Sequence, residues 1–294
     1  MRRCAARFSR VSCQRRAANS PRLVFPKEQV IGQWHSRQRS NTLFKGAIYI
    51  HPSLAERFWR PMEQVKPVHG DMLDEGEPHV RLISVNVAFP REVTWKGKPV
   101  TTAIFKEPVQ GRILLRTLNL DGDRQADPSV HGGADKAVYV YPAEHYDYWR
   151  SELSGQELPS GSFGENFTTT GLLEGEVYIG DRFSIGSAEV VVTQPRLPCY
   201  KLGIKFGQAE MVKRFANSRR TGFYLAVRKE GIVAGGDAIQ LLSRDPHPIT
   251  VADITRLYLR DDEDVEKMRR ALQSEALPEG WRIYFRQQLE ETEL

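Results

Sequence analysis

From Val80 to about Leu242, Gly, Pro, Asn and Asp cut the chain into short apolar runs, which restricts it to folds built of many short strands. Ile83, Val85 and Val87 alternate with Ser84 and Asn86, the period-two pattern of a half-buried strand. Trp95-Lys96-Gly97-Lys98-Pro99 marks a turn between two short strands, with glycine supplying a positive φ. Residues 111–120 and 137–141 form further strand segments, and Pro142 closes the second and opens a helix running through Leu153. Residues 177–195, VYIGDRFSIGSAEVVVTQP, read as a meander turning at Gly180-Asp181 and Gly186-Ser187. A helix over 208–217 and strands at 222–228 and 237–242 follow, the strands separated by Gly235-Gly236. Turn signals at roughly eight- to twelve-residue spacing predict a mainly β fold with a barrel-like or sandwich core and a few helices.

After Pro246 the pattern turns helical. Thr250 and Asp253 form a capping-box start for a helix ending near Arg260. A second helix starts near Asp262 and carries Val265, Met268 and Leu272 on one face; a third, from Gly280, carries Trp281, Ile283, Tyr284 and Phe285. Three helices this short bury too little surface to stand alone, so they must pack on the β core or on a partner. The expected division is a basic leader over 1–71, a β domain over 80–245 and a three-helix element over 246–294.

The net charge of +5 is unevenly placed. Residues 1–71 hold 14 Lys/Arg against 4 Asp/Glu, whereas 72–294 hold 28 against 33. The basicity therefore belongs to the leader, and a general nucleic-acid surface on the body is excluded while a local basic pocket is not. The first 27 residues carry seven arginines, one lysine and no acid, the composition of a mitochondrial transit peptide. The rival reading is a start assigned upstream of the native one, near Met72. Segment 41–70 has no sustained period and is expected to be poorly ordered. No run of about 18 apolar residues is present to cross a membrane as a helix. Only Cys199 of the three cysteines lies in the body, which excludes a disulfide framework there and makes a reducing, cytoplasmic compartment the expectation. A genuine transit segment would make it mitochondrial instead.

Three polar loops carry the chemistry. TQPRLPCYKL, residues 193–202, places Cys199 after a turn stiffened by Pro195 and Pro198, between the cations Arg196 and Lys201. Such cations favour the thiolate, which ligates soft metals or attacks electrophiles, although a lone cysteine also serves as a small buried hydrophobe. In DGDRQADPSVHGGADKA, residues 121–137, His131-Gly132-Gly133 lets backbone N–H groups approach an anion, and Arg124 and Lys136 flank it with charge. The plainer reading makes Asp121-Gly122-Asp123 a turn and His131 a loop histidine. In FGEN, Asn166 is suited to a heterocycle edge and Glu165 to orienting a neighbour; a simple turn competes. No P-loop, GxGxxG or GxSxG elbow is present, and a Cys199–His131 dyad requires two loops to meet. One thiol cannot hold a metal alone, so it suits a metal whose other ligands arrive with an organic cofactor.

HGGADKAVYVYP, FGENFTTTGL, VYIGDRFSIG and TQPRLPCYKL, in this order, resemble the MOSC domain of the YiiM-like family, and the tail resembles that family's small three-helix domain. The leader has no counterpart in that pattern. The resemblance implies a β-barrel-like core that binds the molybdenum cofactor (molybdopterin), with Cys199 as protein ligand to molybdenum and catalytic residue. Charge and backbone access, rather than a family rule for each, make Arg124, His131, Gly132, Gly133, Lys136, Asn166 and Arg196 the expected cofactor-pocket residues. The implied activity is reduction of N-hydroxylated compounds such as hydroxylamino nucleobases. Electrons must come from a separate reductase, because the chain has no cysteine set for an iron–sulfur cluster and no flavin or nicotinamide fingerprint. The alternative is a module that carries the cofactor or its sulfur. Pyridoxal phosphate binding is a further expectation, although this chain lacks the large pyridoxal-phosphate domain that would mobilise sulfur.

Overall fold

The computed structural model describes residues 80–127 and 132–292. The leader and His131 lie outside the described residues, and so do the expectations attached to them. The first half of the strands is β1 (Arg81–Val87), β2 (Arg91–Trp95), β3 (Lys98–Thr102), β4 (Glu107–Pro108), β5 (Ile113–Leu115) and β6 (Val138–Pro142). The second half is β7 (Phe167–Thr170), β8 (Arg182–Ile185), β9 (Ala188–Pro195), β10 (Phe223–Lys229), β11 (Gly231–Val233) and β12 (Ile239–Ser243). Eight of them form one sheet in the order β12-β8-β9-β10-β6-β7-β1-β4, while β2–β3 and β5–β11 pair separately.

Every pairing in the large sheet is antiparallel except β6–β7, which helix α1 (Glu144–Glu152) joins as a crossover. The sheet curls until its ends meet. The amide of Leu82 donates to the carbonyl of Asp237 (2.9 Å), that of Ile239 donates to Val80 (3.0 Å), and Arg81 bridges Ala238. No continuous ladder closes it, so the expected barrel is an open sheet with touching ends. The reason is local: β12 spends its length pairing with β8, while β1 departs to pair with β7 and β4. The expected strand over 111–120 shrinks to β5, because the Arg116 amide turns back onto the Asn119 carbonyl at 2.8 Å.

The main core lies inside this curl, and the C-terminal helices complete it. These are α4 (Val251–Leu259), α5 (Val265–Gln273) and α6 (Glu279–Thr292). Ile254, Ala271, Trp281 and Phe285 join Val190, Val192 and Ile179 in one buried cluster. Fully burying each large apolar side chain is worth about 1.5–3 kcal/mol, which explains how such short helices hold. Polar stitches fix the docking angle. Ile179 and Val251 exchange backbone bonds with the neighbouring segment (to Ile249 at 2.9 Å and Val177 at 3.0 Å), and the Trp281 indole donates to Gln194 Oε1 at 2.8 Å.

The predicted capping box is formed: Asp253 N–H donates to Thr250 Oγ1 at 2.9 Å, and Thr250 N–H donates to Asp253 Oδ2 at 3.3 Å. Thr250→Ala is expected to cost about 1 kcal/mol. A urea-unfolding midpoint checks this: it should fall with the slope unchanged.

A second, aromatic cluster fills the space between α1, α2 (Tyr200–Phe206) and α3 (Met211–Ser218). Tyr141, Trp149, Phe163 and Phe215 pack ring to ring there, and the Trp149 indole donates to the Tyr141 hydroxyl at 2.6 Å. This cluster backs the site.

Candidate functional site

A cleft of about 610 Å³, its open mouth included, lies where β6, β9 and β10 meet the start of α2. Cys199, Arg196, Lys136, Arg124 and Asn166 all line it. The structure thus brings together five of the residues singled out in the sequence, from three separate loops. Gly132 and Gly133 do not line it; Gly133 (φ 95°) is exposed and opens the 3₁₀ turn Ala134–Lys136.

Each side chain has a local cause for its position. Pro195 ends β9, the Arg196 amide donates to the Gly222 carbonyl at 3.0 Å, and Cys199 takes extended geometry (φ −123°, ψ 169°) as the N-cap of α2. The Cys199 thiol is free and half-buried. Lys136 rides on the 3₁₀ turn, which Thr193 Oγ1 ties to β9 by donating to the Asp135 carbonyl at 2.7 Å. Burial draws the Lys136 ammonium pKa below its ordinary value, with Asp135 acting the other way. Arg124 is exposed at the mouth, 6.0 Å from the Phe89 ring centroid.

Arg196 is the most informative of the set. It is 5% exposed and its guanidinium carbon sits 4.9 Å and 5.0 Å from the Tyr139 and Phe215 ring centroids. Among the described residues its buried Nη1 has no hydrogen-bond partner. A buried charged donor left unsatisfied is costly, and a guanidinium facing a cleft is built to fork onto an anionic oxygen.

Asn166 behaves differently from a ligand contact. Its Oδ1 accepts from Tyr139 N–H at 3.2 Å, and its Nδ2 donates to Asp123 Oδ2 at 2.9 Å and to the Asn86 carbonyl at 3.3 Å. The amide is spent on the protein. What it holds is a buried pair that sequence reasoning missed: Lys106 Nζ donates to Asp123 Oδ1 at 2.5 Å, and Ala88 N–H donates to the same oxygen at 2.8 Å. Both partners line the cleft. Lys106 carries no motif, and Asp123 looked like part of a turn. Tyr139 and Tyr224 complete the wall, and nothing but burial in adjacent strands could have flagged them.

Glu165 sits beneath the wall, fully buried. It accepts from Gly161 N–H (2.7 Å), Phe163 N–H (3.0 Å), Thr168 Oγ1 (3.0 Å) and the Tyr146 hydroxyl. It therefore orients the FGEN turn, and Gly164 (φ 81°) in that turn lets the cleft wall close onto Ile104, whose Cγ1 would lie 2.8 Å from an added Cβ.

Among the described residues, five cations (Lys106, Arg124, Lys136, Arg196, Lys201) line the cleft against a single carboxylate, Asp123, already paired. Among the described residues no three His, Cys, Asp or Glu side chains are grouped to hold a metal. The donor set therefore fits a group that brings its own metal ligands and a phosphate: one thiol, a guanidinium with one nitrogen unsatisfied among the described residues, and surrounding cations.

A model of the MOSC domain matches residues 127–240, and a model of the YiiM-like three-helix domain matches 249–292. Uncharacterized protein YflK of Bacillus subtilis is 43% identical over 204 residues, spanning 69% of this chain and 92% of that protein. The crystal structure of YiiM from Geobacillus stearothermophilus superposes with a TM-score of 0.60 at 32% identity, over 71% of this chain and 99% of that one. A protein of Gibberella moniliformis named reductase is 36% identical over 155 residues, which is 52% of this chain and 27% of that protein. Fold, cleft and matches together define a MOSC domain protein, a class associated with molybdenum cofactor binding. The chain belongs to the YiiM-like family within it. Among the described residues, no helix is long and apolar enough to cross a membrane.

Proposed function

We propose that this chain is a molybdenum-cofactor-dependent oxidoreductase that reduces N-hydroxylated compounds of the hydroxylamino nucleobase type. The observation that carries the reading is that one cleft joins the half-buried Cys199 thiol to the buried, unpartnered Arg196 Nη1. Cys199 would hold the metal as a thiolate. Arg196, Lys136 and Arg124 would hold the phosphate and the polar edge of the pterin, Arg196 by its fork and the other two by charge. The bound cofactor would supply the two-electron chemistry. Asn166 would position the Lys106–Asp123 pair without touching the ligand. The aromatic cluster behind Tyr139 excludes water from that wall and keeps the local field strong.

Electrons would come from a separate reductase. The reductase-named relative supports this, since most of that protein's length lies outside the matching segment. The test is turnover of a hydroxylamino purine by the full chain loaded with cofactor, using a reduced viologen as donor. One amine formed per two electrons consumed is expected. No amine from protein with full molybdenum occupancy would overturn the reductase reading, and a persulfide on Cys199 by mass spectrometry would then favour the sulfur carrier.

A further inference from the structure

Reducing R–NH–OH to R–NH₂ breaks the N–O bond, takes up two electrons and two protons, and releases one water. The electrons come from the separate reductase proposed above; at least one proton must be delivered inside the cleft as the oxygen departs. We propose that Lys106 is that proton donor and that Asp123 and Asn166 are its positioning residues, an inference that rests on the N-hydroxy reductase reading.

The geometry selects Lys106 from the polar groups of the wall. Its Nζ gives one N–H to Asp123 Oδ1 at 2.5 Å, and among the described residues its other N–H groups have no partner. The residue is 9% exposed, and it lines the cleft that also holds Cys199. Its backbone is pinned as well: a Cβ on Gly161 (φ 87°) would lie 2.8 Å from the Lys106 carbonyl oxygen, so only glycine allows the approach. The Tyr139 hydroxyl is committed to the Thr221 carbonyl at 2.8 Å, and burial pushes its pKa well up. Arg124 and Arg196 are guanidinium groups, which do not release protons in this range. Lys136 also lines the cleft, but from the 3₁₀ turn and only half-buried, whereas Lys106 is buried.

Burial lowers the proton affinity of Lys106 and outweighs the opposing pull of Asp123, from the loop after β5, and of Glu165, from the turn before β7. A lysine so placed gives up a proton more readily than an exposed one.

Lys106→Met and Lys106→Arg test this in the full chain, with melting temperature and molybdenum content measured for each. For Lys106→Met, kcat should fall roughly 10²-fold or more with little change in KM, and the alkaline limb of the kcat–pH profile should vanish. Lys106→Arg keeps the charge but cannot release the proton, so it should not rescue kcat. A readout independent of turnover is the titration of ε-¹³C-labelled lysines by NMR. The resonance missing from Lys106→Met should titrate below an ordinary lysine, and lower still in Asp123→Asn. Rescue by arginine, loss of molybdenum from Lys106→Met, or titration at or above the ordinary lysine value would each overturn the assignment. Fully loaded wild type that fails to reduce the substrate would instead contradict the reductase reading, with the NMR arm still reporting on Lys106.

Discussion

Cys199→Ala is expected to lose the proposed N-hydroxy reduction to background while the protein stays folded. Cys199 sits half-buried at a loop-to-helix junction, makes no disulfide, and its side chain caps nothing. The backbone around it is fixed by other means: Pro195 and Pro198, the Arg196–Gly222 bond, and the Cys199 carbonyl accepting from Leu202 N–H at 3.0 Å. Truncating the thiol therefore removes a small volume at a partly open site, and the stability cost should stay under about 1–2 kcal/mol. If the thiol is the only protein ligand to the metal, nothing else described in the cleft replaces it, because among the described residues no other sulfur lines it. Turnover under reduced viologen, read beside a thermal melt, checks the pair of expectations. A melt that collapses with the substitution would make Cys199 a structural residue, and full activity with an unchanged melt would remove it from the chemistry.

The largest loss of stability is expected from Glu165→Ala. This carboxylate is fully buried and satisfies four donors, two of them the backbone amides of Gly161 and Phe163. Alanine leaves those donors unpaired beside a new cavity. The two penalties together should cost about 3–5 kcal/mol, enough to unfold a marginal domain. Burial, the leading effect, pushes the Glu165 pKa above its ordinary 4.5, and its hydrogen bonds only partly oppose this. A raised folded pKa gives stability that is fully present below 4.5 and is lost as pH rises through the folded value. The margin of wild type over Glu165→Gln should therefore be widest in acid and narrow with rising pH. Urea midpoints at several pH values measure it; a margin that widens with pH would show that the four donors, not burial, dominate at this carboxylate.

What could be seen in the sequence was whatever local chemistry dictates. Thr250 and Asp253 announce a helix start because both halves of the box are within one turn, and both bonds form. Lys96 and Gly97 announce a hairpin because the turn needs positive φ, and both have it, at 50° and 75°. The prolines around Cys199 announced a shaped loop, and Arg196 and Lys136 announced charge. What was hidden depends on partners far along the chain. Lys106 reads as an ordinary exposed lysine until Asp123 is brought 2.5 Å away by the curl of the sheet. Asn166 read as a ligand contact, and only the meeting of β1, β6 and β7 shows where its amide is used. Helix α2 escaped because seven residues with a central glycine carry too little periodicity; it forms between the Cys199 N-cap and the left-handed Gly207 (φ 66°). The open sheet was likewise invisible, since strand signals do not say which edges meet.

The central claim is that this cleft holds the molybdenum cofactor through Cys199. Molybdenum and released pterin, measured per chain in full-length protein from a host that makes the cofactor, test it most directly. The account predicts close to one of each in wild type, and loss of molybdenum from Cys199→Ser. Wild-type protein without molybdenum or pterin, or a Cys199→Ser variant that keeps both unchanged, would contradict it.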